Sequence, residues 1–66
     1  MTISINNKQK NIQDTISLEN LLESIDISPK GIAIALNNMV ISKKDWKVTF
    51  LKEKDQVTII QATQGG

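Results

Sequence analysis

Four apolar residues constrain this chain more than any others. Leu18, Leu21, Leu22 and Ile25 fall at i, i+3, i+4 and i+7, the spacing that lines side chains up along one face of a helix. Glu19, Asn20, Glu23 and Ser24 fall off that stripe, and Ser17 or Thr15 can cap the first turn. The other apolar segments, Thr2 to Asn6, Ile32 to Leu36, Met39 to Ile41 and Val57 to Ile60, read as strands. A helix with one apolar face must bury it against another element. In 66 residues only strands are left to cover it. The expected class is therefore α+β: a mixed sheet of about four to five strands with one main helix across it. The whole chain, 1–66, is read as a single domain. A domain this small buries only about 60% of its unfolded surface, and its expected net stability is about 3–5 kcal/mol.

Taken in order, Ile3 and Ile5 alternate with polar residues in the first strand. Asn6 and Asn7 follow as a hairpin turn, because asparagine tolerates positive φ. The returning strand, Lys8 to Ile12, is polar enough for a sheet edge. Asp26 to Lys30 is expected to close the helix, with Pro29 forbidding continuation and Gly31 permitting the reversal. Ile32-Ala33-Ile34-Ala35-Leu36 is apolar on both faces, so it is expected to be central, with Ile32, Ile34 and Leu36 toward the helix. Asn37-Asn38 repeats the turn signal, and Met39 to Ile41 pairs back. Ser42 is expected to cap a short helical turn, with Asp45 returning the bond in a weak capping box. Trp46 is expected to anchor that turn to the core rim and to find a partner for its N–H. Lys47 to Leu51 reads as a brief extended segment, and Lys52 to Asp55 as a solvated turn.

Composition removes most chemistries. The chain has no cysteine and no histidine, so it lacks thiolate ligands, the commonest zinc ligand and the commonest general base. No paired carboxylates or other catalytic constellation can be read from the spacing. The basic residues are lysines, spread along the chain among seven acidic residues, and the net charge is +1. That balance argues against nucleic acid as a partner. No apolar run reaches the length of a membrane span and the first residues lack a signal-peptide layout, so a cytoplasmic protein is expected.

The last strand, Val57 to Ile60, leads to Gln61-Ala62-Thr63-Gln64-Gly65-Gly66. Glycine lacks Cβ and takes φ of either sign. The stretch at about 63–66 is therefore expected to be flexible, to be disordered in the free protein, and to pass through a channel too narrow for other residues. The α-carboxylate of Gly66 would lie at its tip. Frayed or processed ends are often glycine-rich too; the position directly after a final strand favours the functional reading. The order hairpin, helix, hairpin, short helical turn, strand is that of a β-grasp, with the first and last strands parallel at the sheet centre.

These features together resemble the ThiS family, the sulfur carriers of thiamine (thiazole) biosynthesis, which have a ubiquitin-like β-grasp fold. The resemblance rests on Thr2 to Asn6 opening a hairpin, Ser17-Leu18-x-x-Leu21-Leu22, Ala35-Leu36-Asn37, Val40 to Trp46, Asp55-Gln56-Val57 and the terminal Gly65-Gly66. It covers the whole chain. The sequence departs from the family pattern at Lys54, where the turn before the last strand usually carries glycine, and at Gln64, where a smaller residue is usual.

The resemblance implies a carrier and co-substrate rather than an enzyme. A ThiF-type adenylating enzyme, using ATP and magnesium, would convert the Gly66 carboxylate to an acyl-adenylate. A cysteine-derived persulfide would then supply sulfur, leaving a thiocarboxylate for a thiazole synthase of the ThiG type. Gly66 would carry the sulfur, Gly65 would give access, and Gln64 would add main-chain contacts in the partner's channel. Strand alternation turns Ile60 and Ala62 away from the helix, which makes them candidate docking contacts. The small subunit of molybdopterin synthase, a ubiquitin-like protein modifier and an interaction module with an inert tail are the competing readings.

Overall fold

The structure is a computed structural model, and it describes residues 1–61. Five strands form one mixed sheet in the order β2-β1-β5-β3-β4. The strands are β1 (Thr2–Ile5), β2 (Lys8–Asn11), β3 (Ile32–Leu36), β4 (Met39–Ile41) and β5 (Gln56–Gln61). Helix α1 spans Leu18–Ser24, and a 3-10 helix spans Lys43–Val48. β1 and β5 run parallel, and the other pairs are antiparallel. The central strand is β5. β3 lies one place outward, between β5 and β4, so its two apolar faces mark an interior strand and not the middle one.

Both hairpins turn on asparagine pairs. Asn6 and Asn7 have φ of 51° and 69°, and Asn37 and Asn38 have φ of 50° and 70°. Two successive left-handed residues make the turn whose twist matches that of the flanking strands. Lys8, Gln9, Lys10 and Asn11 on the edge strand β2 are all exposed, as its polarity required.

Ser17 is the N-cap of α1, and its Oγ accepts from the Asn20 N–H at 3.2 Å. Leu18, Leu21 and Leu22 are buried on one face, and Ile25 packs against the core at the helix end. The helix stops before Pro29 can act. Asp26 takes φ 61°, its N–H donates to Glu23 O at 3.2 Å, and the Ile27 N–H donates to Leu22 O at 3.0 Å. This crossed pair of bonds is a Schellman ending, with aspartate where glycine is usual. Pro29 falls in the connection, and Gly31 turns into β3 with φ 68°.

The core lies between α1 and one sheet face. Ile3, Ile34, Val57 and Ile59 rise from the sheet to meet Leu18, Leu21 and Leu22. Trp46 and Leu51 close one side. The Trp46 Nε1–H donates to Ile41 O at 2.9 Å, so a bulky residue is buried with its polar atom satisfied. Ser42 sits at the N-cap of the 3-10 helix but makes no side-chain capping bond. The Asp45 N–H goes to Ser42 O at 2.9 Å instead, the i to i+3 bond of a 3-10 turn, so no capping box forms. Lys47 and Val48 belong to that helix, and only the segment after it is extended. There Phe50 bridges Ser17 antiparallel.

Candidate functional site

The candidate site is the end of β5 and the open sheet face beside it. Val57 and Ile59 point into the core and are buried, so the alternate residues Gln56, Thr58 and Ile60 face the other way and are exposed. Ile60 has 52% of its surface exposed. Its register partner on β3 is Ala33, and Thr58 is opposite Ala35, which is in turn opposite Val40 on β4. Ile60, Ala33, Ala35 and Val40 therefore share one face. On the other side of β5, Gln56 is level with Ser4, which is level with Gln9. The open face is apolar toward β3 and β4 and polar toward β1 and β2.

β5 is held more tightly than strand pairing alone requires. The Asn6 side chain lies against Ile59: its Oδ1 accepts from the Ile59 N–H at 2.8 Å, and its Nδ2 donates to Ile59 O at 3.2 Å. One amide thus supplies both bonds that a further β1 residue would have made. Asn37 does similar work at the start of β5. Its Oδ1 accepts from the Gln56 N–H at 2.9 Å, and its Nδ2 donates to Asp55 Oδ1 at 3.0 Å. Asp55 Oδ2 also accepts from the Lys52 N–H at 2.7 Å, while the Ser4 N–H donates to Asp55 O at 3.0 Å.

Lys54 occupies the position where a glycine was expected, and it adopts the glycine's conformation, with φ 69°. Its N–H donates to Thr2 O at 2.7 Å, and the Asp55 N–H closes the turn on Lys52 O at 3.1 Å. The turn is kept and a lysine carries the strain. The charges read as a solvated turn include Asp55, a brace between β1, the β3–β4 turn and β5.

Of the residues singled out in the sequence, Ile60 is placed on the open face. Ala62, Gln64, Gly65 and Gly66, and the flexibility expected of 63–66, lie outside the described residues. Sequence reasoning missed Asn6, Asn37 and Asp55 as the residues that fix β5. The Asn-Asn pairs were visible as turns, but the reach of the first asparagine onto a strand about fifty residues away leaves no local signal.

Among the described residues no three potential metal ligands cluster. No helix among them is long and apolar enough to cross a membrane. What the arrangement offers is a rigid central strand with an apolar patch beside its exit.

The model of the ThiS family matches residues 3–66. The chain belongs to the ThiS family. It is 30% identical over 66 residues to an uncharacterised protein, ycf40, of Porphyra purpurea, covering all of this chain and 93% of that one. A thiazole synthase of Magnetococcus marinus is 29% identical over 66 residues, which cover all of this chain and 20% of that protein. The sulfur carrier protein ThiS of Escherichia coli is 28% identical over 50 residues, 76% of each chain. Among solved structures, the crystal structure of a thiamine biosynthesis protein (ThiS) from Geobacter metallireducens superposes with a TM-score of 0.88 at 20% identity, with both chains covered in full. That likeness establishes the ThiS β-grasp fold, in agreement with the order of elements read from the sequence.

Proposed function

We propose that this chain is a sulfur carrier of thiamine biosynthesis, a co-substrate of other enzymes with Gly66 as the carrying residue. The observation that supports this most is the family match running from Ile3 to the terminal Gly66, over a β-grasp whose central strand leads directly into the Gly-Gly end. A ThiF-type enzyme with ATP and magnesium joins the Gly66 carboxylate to AMP and releases pyrophosphate. A carboxylate resists nucleophiles because of its charge; the mixed anhydride removes that charge and supplies a leaving group. The terminal sulfur of a cysteine-derived persulfide attacks the carbonyl and AMP departs. Cleavage of the remaining sulfur–sulfur bond by a thiol leaves the thiocarboxylate.

The acceptor in this reading is a thiazole synthase of the ThiG type. The thiazole synthase with a segment resembling this whole chain supports it, since a segment of this kind lies in one polypeptide with a protein of that name. Gly66 lies five residues beyond Gln61. At about 3.3–3.6 Å per extended residue the carboxylate reaches at most about 18 Å past the strand. An enzyme acting on Gly66 must therefore come close to the body of the carrier, and the Ile60 patch is the apolar surface nearest the exit. Gly65 and Gln64 line the approach, and Ala62 is a further contact.

The test is the intact mass after incubation with a ThiF-type enzyme, ATP, magnesium and a persulfide donor. The expected result is a gain equal to sulfur replacing one oxygen, absent when Gly66 is deleted. An unchanged mass, with the same enzyme active on another carrier, would overturn the reading and send the search to isopeptide conjugates.

A further inference from the structure

The hydrogen-bonding parity of β5 places at Gln61 a pairing position that no described residue fills. Toward β1, the bonds are made by odd-numbered residues: Asp55 O accepts from Ser4, Val57 O from Asn6, and Ile59 bonds the Asn6 side chain through both its N–H and its C=O. Toward β3, the even-numbered residues take part, beginning with Gln56, whose O accepts from the Asn37 N–H. Gln61 is the last residue of β5 and is opposite Ile32 on β3. By the same alternation its N–H and C=O point to the β1 side. β1 has ended at Ile5 and the chain has turned away at Asn6 and Asn7. Among the described residues nothing bonds the Gln61 main chain on that side.

We infer that Gln61 is a sheet-extension site, and that an extended main-chain segment of the adenylating enzyme pairs there while Gly66 is activated. The inference rests on the carrier reading, because that reading is what brings an enzyme to within about 18 Å of Gln61. An enzyme that close covers the open edge. Burying an unpaired N–H and C=O costs far more than pairing them, so the surface that covers Gln61 must supply an acceptor and a donor. A strand meets both at once and fixes the direction in which the tail leaves. Its side chains would also flank Ile60, which has a register partner on the β3 side, Ala33, and none among the described residues on the β1 side.

The test compares the wild-type chain with three variants: Gln61→Ala, Gln61→Pro, and a synthetic chain in which an ester replaces the Gln61 amide. All three are expected to fold, because the Gln61 N–H takes no part in the β3 ladder. Thermal unfolding checks this. With a ThiF-type enzyme, ATP and magnesium, the readout is ATP–pyrophosphate exchange as a function of carrier concentration. Gln61→Ala should behave as wild type. The proline and ester variants should need about tenfold more carrier for half-maximal exchange. Equal exchange by wild type and ester would overturn the pairing while leaving the carrier reading intact. No exchange with wild type, from an enzyme active on another carrier, would overturn both. Hydrogen exchange at Gln61 gives a second readout: fast in the free protein and slowed by the enzyme. Slowing in the free protein that disappears on dilution would assign the edge to a second copy of this chain and overturn the proposal.

Discussion

Asn6 combines two tasks that are usually separate. It takes a left-handed conformation, with φ 51°, and it completes the ladder to Ile59 with its side chain. Asn6→Gly keeps the turn and deletes both bonds, so it is expected to cost about 1–3 kcal/mol, measured by urea unfolding. Asn7→Gly should cost much less, because only the turn conformation is at stake. Lys54 is the opposite case. Its side chain is exposed, and its φ of 69° suits glycine better. Lys54→Gly is expected to stabilise the fold by about 0.5–1 kcal/mol, seen as a higher urea midpoint at unchanged slope. At this scale the sequence was legible wherever a residue acts on its own backbone. The asparagine pairs, Ser17 and the Trp46 N–H were of that kind. It was silent where a side chain bonds a strand far along the chain, as Asn6 and Asn37 do, because local spacing does not encode which loop meets which strand.

Among the elements, the two helical segments separate what a cap position implies from what a cap bond does. Ser17 makes its bond to Asn20, whereas Ser42 holds the same position without one. Ser17→Ala is therefore expected to cost about 1 kcal/mol, and Ser42→Ala to stay within about 0.5 kcal/mol of wild type. Equal losses in chemical denaturation would contradict that assignment. The stripe Leu18, Leu21, Leu22 and Ile25 was readable because period and burial coincide. The close of α1 was read at Asp26 to Lys30 and falls there, but the cause assigned to it was Pro29, whereas Asp26 ends the helix by accepting a conformation that its residue type only tolerates. The place of β3 inside the sheet was readable from its apolar residues, and it lies there, paired with β5 on one side and β4 on the other.

For the whole molecule, the β-grasp was legible because one helical stripe and short strands admit few arrangements in a chain of this length. The candidate site was legible in part. Strand alternation put Ile60 on the face where it is found, while the roles read for Gly65 and Gly66 fall outside the described residues. The extent of the apolar patch was not readable, since Ala33, Ala35 and Val40 join Ile60 only through strand register. Ile60→Asp tests that face. It should leave the urea midpoint within about 0.5 kcal/mol of wild type and reduce thiocarboxylate formation at limiting carrier about tenfold or more. Unchanged formation would move the docking surface elsewhere.

The parallel pairing of β1 and β5 also decides how the fold meets mechanical load. β1 ends beside the start of β5, with Ser4 and Ile5 level with Gln56 and Val57, and β5 runs on in the same direction to Gln61. A pull on the tail against β1 therefore acts along both strands in opposite directions. The cross-strand bonds, the Asn6 clasp among them, are loaded together in shear instead of being peeled one after another. A pull at the β4 edge would unzip its short pairing with β3 singly. In the carrier reading, an enzyme acting beyond Gln61 would load this pairing in shear, not in peeling.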